Sequence, residues 1–115
     1  MGKKRISEEL GLSALLSDPI EPGLAVRYVL QLLEERSPGG TVEVRVPPFG
    51  AIQCIGGMDH RRGTPPNVVE MDAETLLGLA KGEIGFAAAI QTGKVFLSGS
   101  RASEISSLFP ALIVE

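Results

Sequence analysis

The sequence predicts an α+β fold, a single two-layer domain in which helices cover one face of a mostly antiparallel sheet of four to five strands. Helical patterns lie near both ends of the chain, three strand patterns cluster between them, and a fourth strand pattern follows two short helices. The length of 115 residues is that of one ordinary domain. We therefore expect residues 1–115 to form one domain, with residues 1–20 as an N-terminal helical extension.

Two helices are predicted before the first strand. Ser7 precedes two glutamates, which is typical of a capped helix start, and the Asp18-Pro19 pair ends that helix. The second helix begins at Pro22 and ends at the sequence SPGG. Its apolar stripe has helical spacing and consists of Val26, Val29, Leu30 and Leu33. Its opposite, solvated face consists of Arg27, Gln31, Glu34 and Glu35.

The central segments predict strands. TVEVRV alternates apolar and polar residues, PPFG is a turn, and AIQCI returns as the second strand of a hairpin. NVVEM and KVFLSG predict a third and a fourth strand, and the fourth must arrive through a helical crossover.

Three helices are predicted in the second half. Asp72 caps a helix that Gly82 ends, EIGFAAAIQTG forms a shorter one, and SRASEISSLFPALI forms a last helix that breaks at Pro110.

Composition narrows the functional class. A net charge of −3 and a pI of about 5.2 argue against a nucleic-acid partner. One cysteine cannot form an internal disulfide, so a reducing, cytoplasmic setting is expected. No apolar run approaches the ~18 residues of a membrane span, so stable membrane insertion is not expected.

The rare residues Cys54, Asp59 and His60 lie close together in sequence, and one interpretation is a thiol nucleophile with a base and its orienting residue. Cys54 lies in an apolar strand pattern, however, where a cysteine usually acts as a small buried hydrophobic residue. No paired metal-ligand spacing and no dinucleotide fingerprint are present. We therefore expect no catalytic residues, no metal and no cofactor, and predict that the protein is not an enzyme.

The loop segment His60, Arg61 and Arg62 has two interpretations. It holds an anion or an anionic headgroup, for which arginine is well suited, or it only keeps a solvated loop in water.

The aliphatic second half also has two interpretations. Large residues alternate with small ones in LLGLAKGEIGFAAAIQTGKVFL. Such a mixture either fills a tight core or leaves an apolar pocket between helices and sheet.

Residues 72–105 resemble the C-terminal half of sterol carrier protein 2-like domains. The shared pattern is an acid-capped helix, a glycine, a helix with a central alanine, a glycine, and a strand ending in glycine. In this chain the pattern corresponds to Asp72, Gly82, Ala88, Gly93 and Gly99. The segments VEVRVPPFGAIQCI and RGTPPNVVEMD are similar to the short bacterial branch of that family.

The resemblance implies a five-stranded sheet with helices enclosing an apolar tunnel. It also implies non-covalent binding or carriage of a fatty acyl chain, lipid or sterol-like molecule in an internal hydrophobic pocket. Where the family often has Trp, this chain has Leu76. The alternative is a ligand-free structural or interaction module with a filled core. Self-association into a homo-oligomer is a further open alternative. The expected ligand-binding residues are Val29, Leu33, Ile52, Leu76, Ile84, Phe86, Ile90 and Phe96.

Overall fold

The fold comes from a computed structural model that describes residues 5–57 and 65–112. The helices are α1 (Glu8–Leu16), α2 (Pro22–Arg36), α3 (Ala73–Lys81) and α4 (Phe86–Gln91), with a 3-10 helix at Ala102–Leu108. The strands are β1 (Val42–Val46), β2 (Gly50–Cys54), β3 (Asn67–Met71) and β4 (Val95–Ser98). This order confirms the predicted α+β arrangement.

The strands form one mixed sheet in the order β2-β1-β3-β4. β1 pairs with β2 and β3 pairs with β4 in antiparallel fashion, while β1 and β3 are parallel. Helices α3 and α4 connect β3 to β4, so the fourth strand follows a helical connection as predicted, but β3 and β4 are antiparallel neighbours and the connection crosses over no other strand. Four strands are present in the described residues, which is the lower of the two expected numbers.

The core lies between one face of the sheet and the helices. Val42, Val44 and Val46 of β1 are fully buried, as is Val69 of β3. Their alternation partners Glu43 and Arg45 are only half-buried, so the opposite face of the sheet is the more open one. The period of two in the sequence thus predicted correctly which residues of β1 enter the core.

The N-terminal helices pack against each other through a close backbone approach. The Ser7 hydroxyl caps α1 by accepting a hydrogen bond from the Leu10 N–H at 3.1 Å. Gly11 then faces the ring of Tyr28 on α2, and a Cβ atom at this position would overlap that ring. Glycine at this position therefore sets how closely α1 approaches α2.

Helix α3 begins and ends where the sequence predicts. The Asp72 carboxylate accepts a hydrogen bond from the Thr75 N–H at 2.8 Å, and Gly82 ends the helix in the left-handed conformation with φ of 78°. These interactions are the expected N-cap and C-terminal glycine.

The last predicted helix is present at Ala102–Leu108 and is a 3-10 helix. Three serines in this segment, Ser103, Ser106 and Ser107, compete for main-chain hydrogen bonds, which disfavours a regular α-helix. Phe109, which precedes Pro110, is extended with ψ of 144°, so the segment ends as the proline predicts.

Candidate functional site

A groove of about 600 Å³ lies between α2 and the edge strand β2. We call it the α2–β2 groove. Its volume is within the usual range for small-molecule sites, which is roughly 300–1,000 Å³. It is lined by Arg5, Ile6, Arg27, Leu30, Gln31, Glu34, Glu35, Phe49, Gly50, Ala51 and Ile52.

The groove has an apolar floor. Leu30 of α2 is 2% exposed, and Phe49 and Ile52 are half-buried and pack against the same core. Leu30 closes the bottom of the groove, while the exposed parts of Phe49 and Ile52 gain free energy when a ligand covers them, about 25 cal/mol per Å² of apolar surface. The floor is therefore suited to an aliphatic chain.

One wall of the groove is the N-terminal segment, which is fastened to α2. Gln31 accepts a hydrogen bond from the Ile6 N–H at 2.9 Å and donates one to the Ile6 carbonyl at 2.8 Å. Arg5 donates two hydrogen bonds to the Glu35 carboxylate, at 2.6 and 2.8 Å. This pairing raises the pKa of Arg5 and lowers the pKa of Glu35. The charge of Arg5 is thus already neutralised.

The two remaining charged residues lie at different positions along α2. Arg27 is exposed and lies close to Gly23 and the Phe49 ring. Glu34 is also exposed and lies two turns later, near enough to Cys54 to contribute to the raised pKa of that thiol. In the part of the chain that the structure describes, neither Arg27 nor Glu34 forms an ion pair. The groove is therefore positive at one end and negative at the other.

A second depression of about 380 Å³ lies on the open side of the β1–β2 hairpin. It is lined by Glu43, Arg45, Pro47, Pro48, Gly50 and Ala51. Glu43 and Arg45 form an ion pair with a 2.6 Å contact, so its surface is partly polar. Because it is smaller, at about 380 against about 600 Å³, it covers less of an aliphatic ligand than the α2–β2 groove does.

The expected ligand-binding residues occupy several environments. Val29, Leu33 and Leu76 are fully buried in the core, and Ile84 and Phe86 are half-buried against it. Ile90 is 38% exposed, and Phe96 is 67% exposed on β4. Ile52 is the member of this set that lines the α2–β2 groove. The proposed internal site that would join all eight residues stays a prediction.

Packing around α3 and the turn that follows it is tight. The side chain of Ile84 lies against Gly78, where an added Cβ would come within 2.8 Å of Ile84 Cγ1. Leu76 and Leu79 are at most 1% exposed. The ring of Phe86 stacks on Phe109 with centroids 6.2 Å apart.

Cys54 is fully buried on β2, as expected for a small hydrophobic residue. Burial raises the pKa of its thiol to about 11, with a smaller contribution from the charge of Glu34. At neutral pH the thiol is therefore protonated and a poor nucleophile. His60, Arg61 and Arg62, like Asp59, lie outside the described residues.

Within residues 5–57 and 65–112, no group of three or more His, Cys, Asp or Glu side chains is placed to hold a metal ion. No helix in the same residues is both long and apolar enough to cross a membrane.

Sequence reasoning missed the residues that shape the groove. It placed Arg27 and Gln31 on a solvated face and Phe49 in a turn. Phe49 had a recognisable signal, since it is a large apolar residue directly after two prolines. The pairing of Gln31 with Ile6 had no signal in the sequence, because the two residues are 25 positions apart.

Fold and groove together define a class: a two-layer α+β domain with an apolar cleft and no recognisable catalytic constellation among its described residues. A family model described as "Bacterial SCP ortholog" matches residues 21–111. The chain therefore belongs to this bacterial branch of the sterol carrier protein 2-like family.

Among solved structures, the chain is similar to the crystal structure of sterol carrier protein 2 like 2 from Aedes aegypti. The two are 14% identical with a TM-score of 0.48, and the match covers 74% of this chain and 96% of that one. No curated protein matches the sequence.

Proposed function

We propose that the protein binds and carries an apolar small molecule, such as a fatty acyl chain or another lipid, without changing it chemically. The α2–β2 groove carries this proposal, because it combines about 600 Å³ of space with an apolar floor of Leu30, Phe49 and Ile52. Membership of a sterol carrier family supports the same class of ligand. The protonated, buried thiol of Cys54 supports a role without covalent chemistry.

The affinity would come from removing apolar surface from water. Each buried methylene contributes about 0.8 kcal/mol, so an aliphatic chain gains free energy along the length that the floor covers. The interior between α3, α4 and the sheet is the second place that we propose for the acyl chain of the ligand. Ile84 and Phe86, at the junction of α3 and α4, are half-buried against the core and support this second place.

Titration with a fluorescent fatty acid tests the proposal, together with native mass spectrometry of the purified protein. Phe49→Ala and Ile52→Ala should each weaken binding about tenfold, since each removes several carbons from the floor. Leu16→Ala is the control, because this side chain is 67% exposed on α1, does not line the groove and should not change the affinity.

If Ile84→Ala and Phe86→Ala weaken fatty-acid binding while Phe49→Ala and Ile52→Ala do not, the proposed function stands and the ligand binds at the interior site. Absence of any co-purified lipid and of any binding would overturn the proposed function.

A second candidate is a ligand-free structural or interaction module. The observation that favours it is the burial of α3, on which Leu76, Leu79 and Ala80 are at most 1% exposed. This candidate expects no lipid binding at any site and no thermal stabilisation by fatty acids, whereas a ligand that binds only the folded state must raise stability.

A further inference from the structure

The edge strand β2 presents main-chain hydrogen-bonding groups along the α2–β2 groove. In an antiparallel pair, alternate residues direct their N–H and C=O groups away from the partner strand. Among the residues that the structure describes, β2 pairs with β1 on one side only and lies at the edge of the sheet. Residues 50–52 line the groove, so at least one such donor and acceptor lie along it. A plain fatty acid leaves these groups without a partner.

Arg27 lies at the end of the groove where β2 begins. Its guanidinium and the Phe49 ring both lie close to Gly23, and Phe49 directly precedes Gly50. Arg27 forms no ion pair or side-chain hydrogen bond with any other described residue, whereas Arg5 is paired with Glu35. Arg27 is therefore the groove cation that is available to an anionic group.

Glu34 fixes the polarity of the groove. It follows Arg27 by seven positions, which corresponds to about 10 Å along the helix axis at about 1.5 Å per residue. A carboxylate is attracted at the Arg27 end and repelled at the Glu34 end. A ligand with one anionic end would therefore bind in one orientation.

From these three features we propose that the preferred ligand is an N-acyl amino acid, which deepens and rests on the proposed lipid-binding function. The acyl chain lies on the floor formed by Leu30, Phe49 and Ile52. The amide pairs with the free main-chain edge of β2, as an added strand pairs with a sheet edge. The carboxylate, one carbon from the amide nitrogen, lies at Arg27.

An isosteric pair of ligands tests the role of the amide. N-dodecanoylglycine and O-dodecanoylglycolate have the same chain and carboxylate, but the ester lacks the N–H. Calorimetry should show the amide binding about tenfold more tightly, as expected for a hydrogen bond that the ester cannot form. Equal affinities would overturn this inference and leave the proposed function standing. Failure of both ligands and of dodecanoate to bind would overturn the proposed function as well.

An unacylated peptide separates lipid recognition from simple strand addition. Triglycine offers amides and a carboxylate without an acyl chain, and it should not bind measurably. Binding of triglycine as tight as that of N-dodecanoylglycine would overturn the assignment, because the groove would then be a peptide site.

Substitution of Arg27 tests the headgroup position. Arg27→Gln should weaken the binding of N-dodecanoylglycine about tenfold and leave the affinity for the neutral N-dodecanoylglycinamide unchanged. Lys94→Gln is the control, because Lys94 is an exposed cation that follows α4 and does not line the groove. An equal loss for the charged and the neutral ligand, or an equal loss in the Lys94→Gln variant, would contradict the placement of the carboxylate.

Discussion

The side-chain amide of Gln31 pairs with both main-chain groups of Ile6, accepting from its N–H at 2.9 Å and donating to its carbonyl at 2.8 Å. A side chain thus imitates the hydrogen-bonding pattern of a neighbouring strand. The pairing holds the segment before α1 against the middle of α2 and builds one wall of the α2–β2 groove.

Gln31→Ala should lower the free energy of unfolding by about 1–2 kcal/mol, because two partly buried hydrogen bonds are lost. Denaturant unfolding measures this change, and hydrogen exchange should show faster exchange of the Ile6 amide. The control is Glu34→Ala on the same helix, which is exposed and should change stability by less than about 0.5 kcal/mol. Equal effects of the two substitutions would contradict a fastening role for Gln31.

Gly11→Ala should destabilise the protein by about 1–3 kcal/mol, although alanine normally favours a helix, because the new Cβ would overlap the ring of Tyr28. Gly23→Ala on α2 provides the control, since a Cβ at that position would approach only the end of the Arg27 side chain, at 3.3 Å, and the Phe49 ring, at 3.5 Å. Combining Gly11→Ala with Tyr28→Leu in a double-mutant cycle should recover part of the loss. Strict additivity of the two changes would show that the ring contact is not the cause.

Stability should fall at alkaline pH partly because of Cys54. Its pKa is raised to about 11 in the folded protein, against about 8.5 for an unfolded cysteine. The thiol's contribution is fully present below the unfolded pKa and is lost as pH rises toward the folded one, by at most about 1.4 kcal/mol per pH unit. The Cys54→Ala variant should show a shallower decline than the wild type between these values.

Tyr28 also has a pKa raised by burial, but it is present in both proteins, so the difference between them reports Cys54 alone. Identical pH profiles would show that the thiol does not contribute.

Asp72→Ala should cost about 1 kcal/mol at neutral pH, because the cap of α3 is lost. The hydrogen bonds from Thr75 lower the pKa of the Asp72 carboxyl. A lowered folded pKa means that the contribution is present above the unfolded pKa of about 3.9 and is lost as pH falls through the folded value. Urea unfolding of both proteins should therefore converge at low pH. A difference that stays constant down to strongly acidic pH would argue that the carboxylate charge is not involved.

Most of the fold could be predicted from local patterns. The caps at Ser7 and Asp72 and the glycine at Gly82 fixed the helix boundaries, and the alternation in β1 identified its buried face. The last helix was also predicted from its sequence pattern, but the pattern did not specify the 3-10 geometry that this segment adopts. The candidate site was less predictable. Periodicity marks a residue such as Leu30 as apolar and inward-facing, but it does not show whether a neighbour covers it fully.

The sequence by itself determined the element types, the single sheet covered by helices and the family, since these depend on spacing, capping and turn residues that act over a few positions. Tertiary structure alone decided that β2 lies at the sheet edge, that Ile6 pairs with Gln31, and that the described groove opens beside α2 rather than beneath α3. The physical reason is that local patterns act over a few residues, whereas a groove depends on contacts between distant parts of the chain. A groove is the space left between elements that are distant in sequence, and its shape depends on how closely their side chains approach.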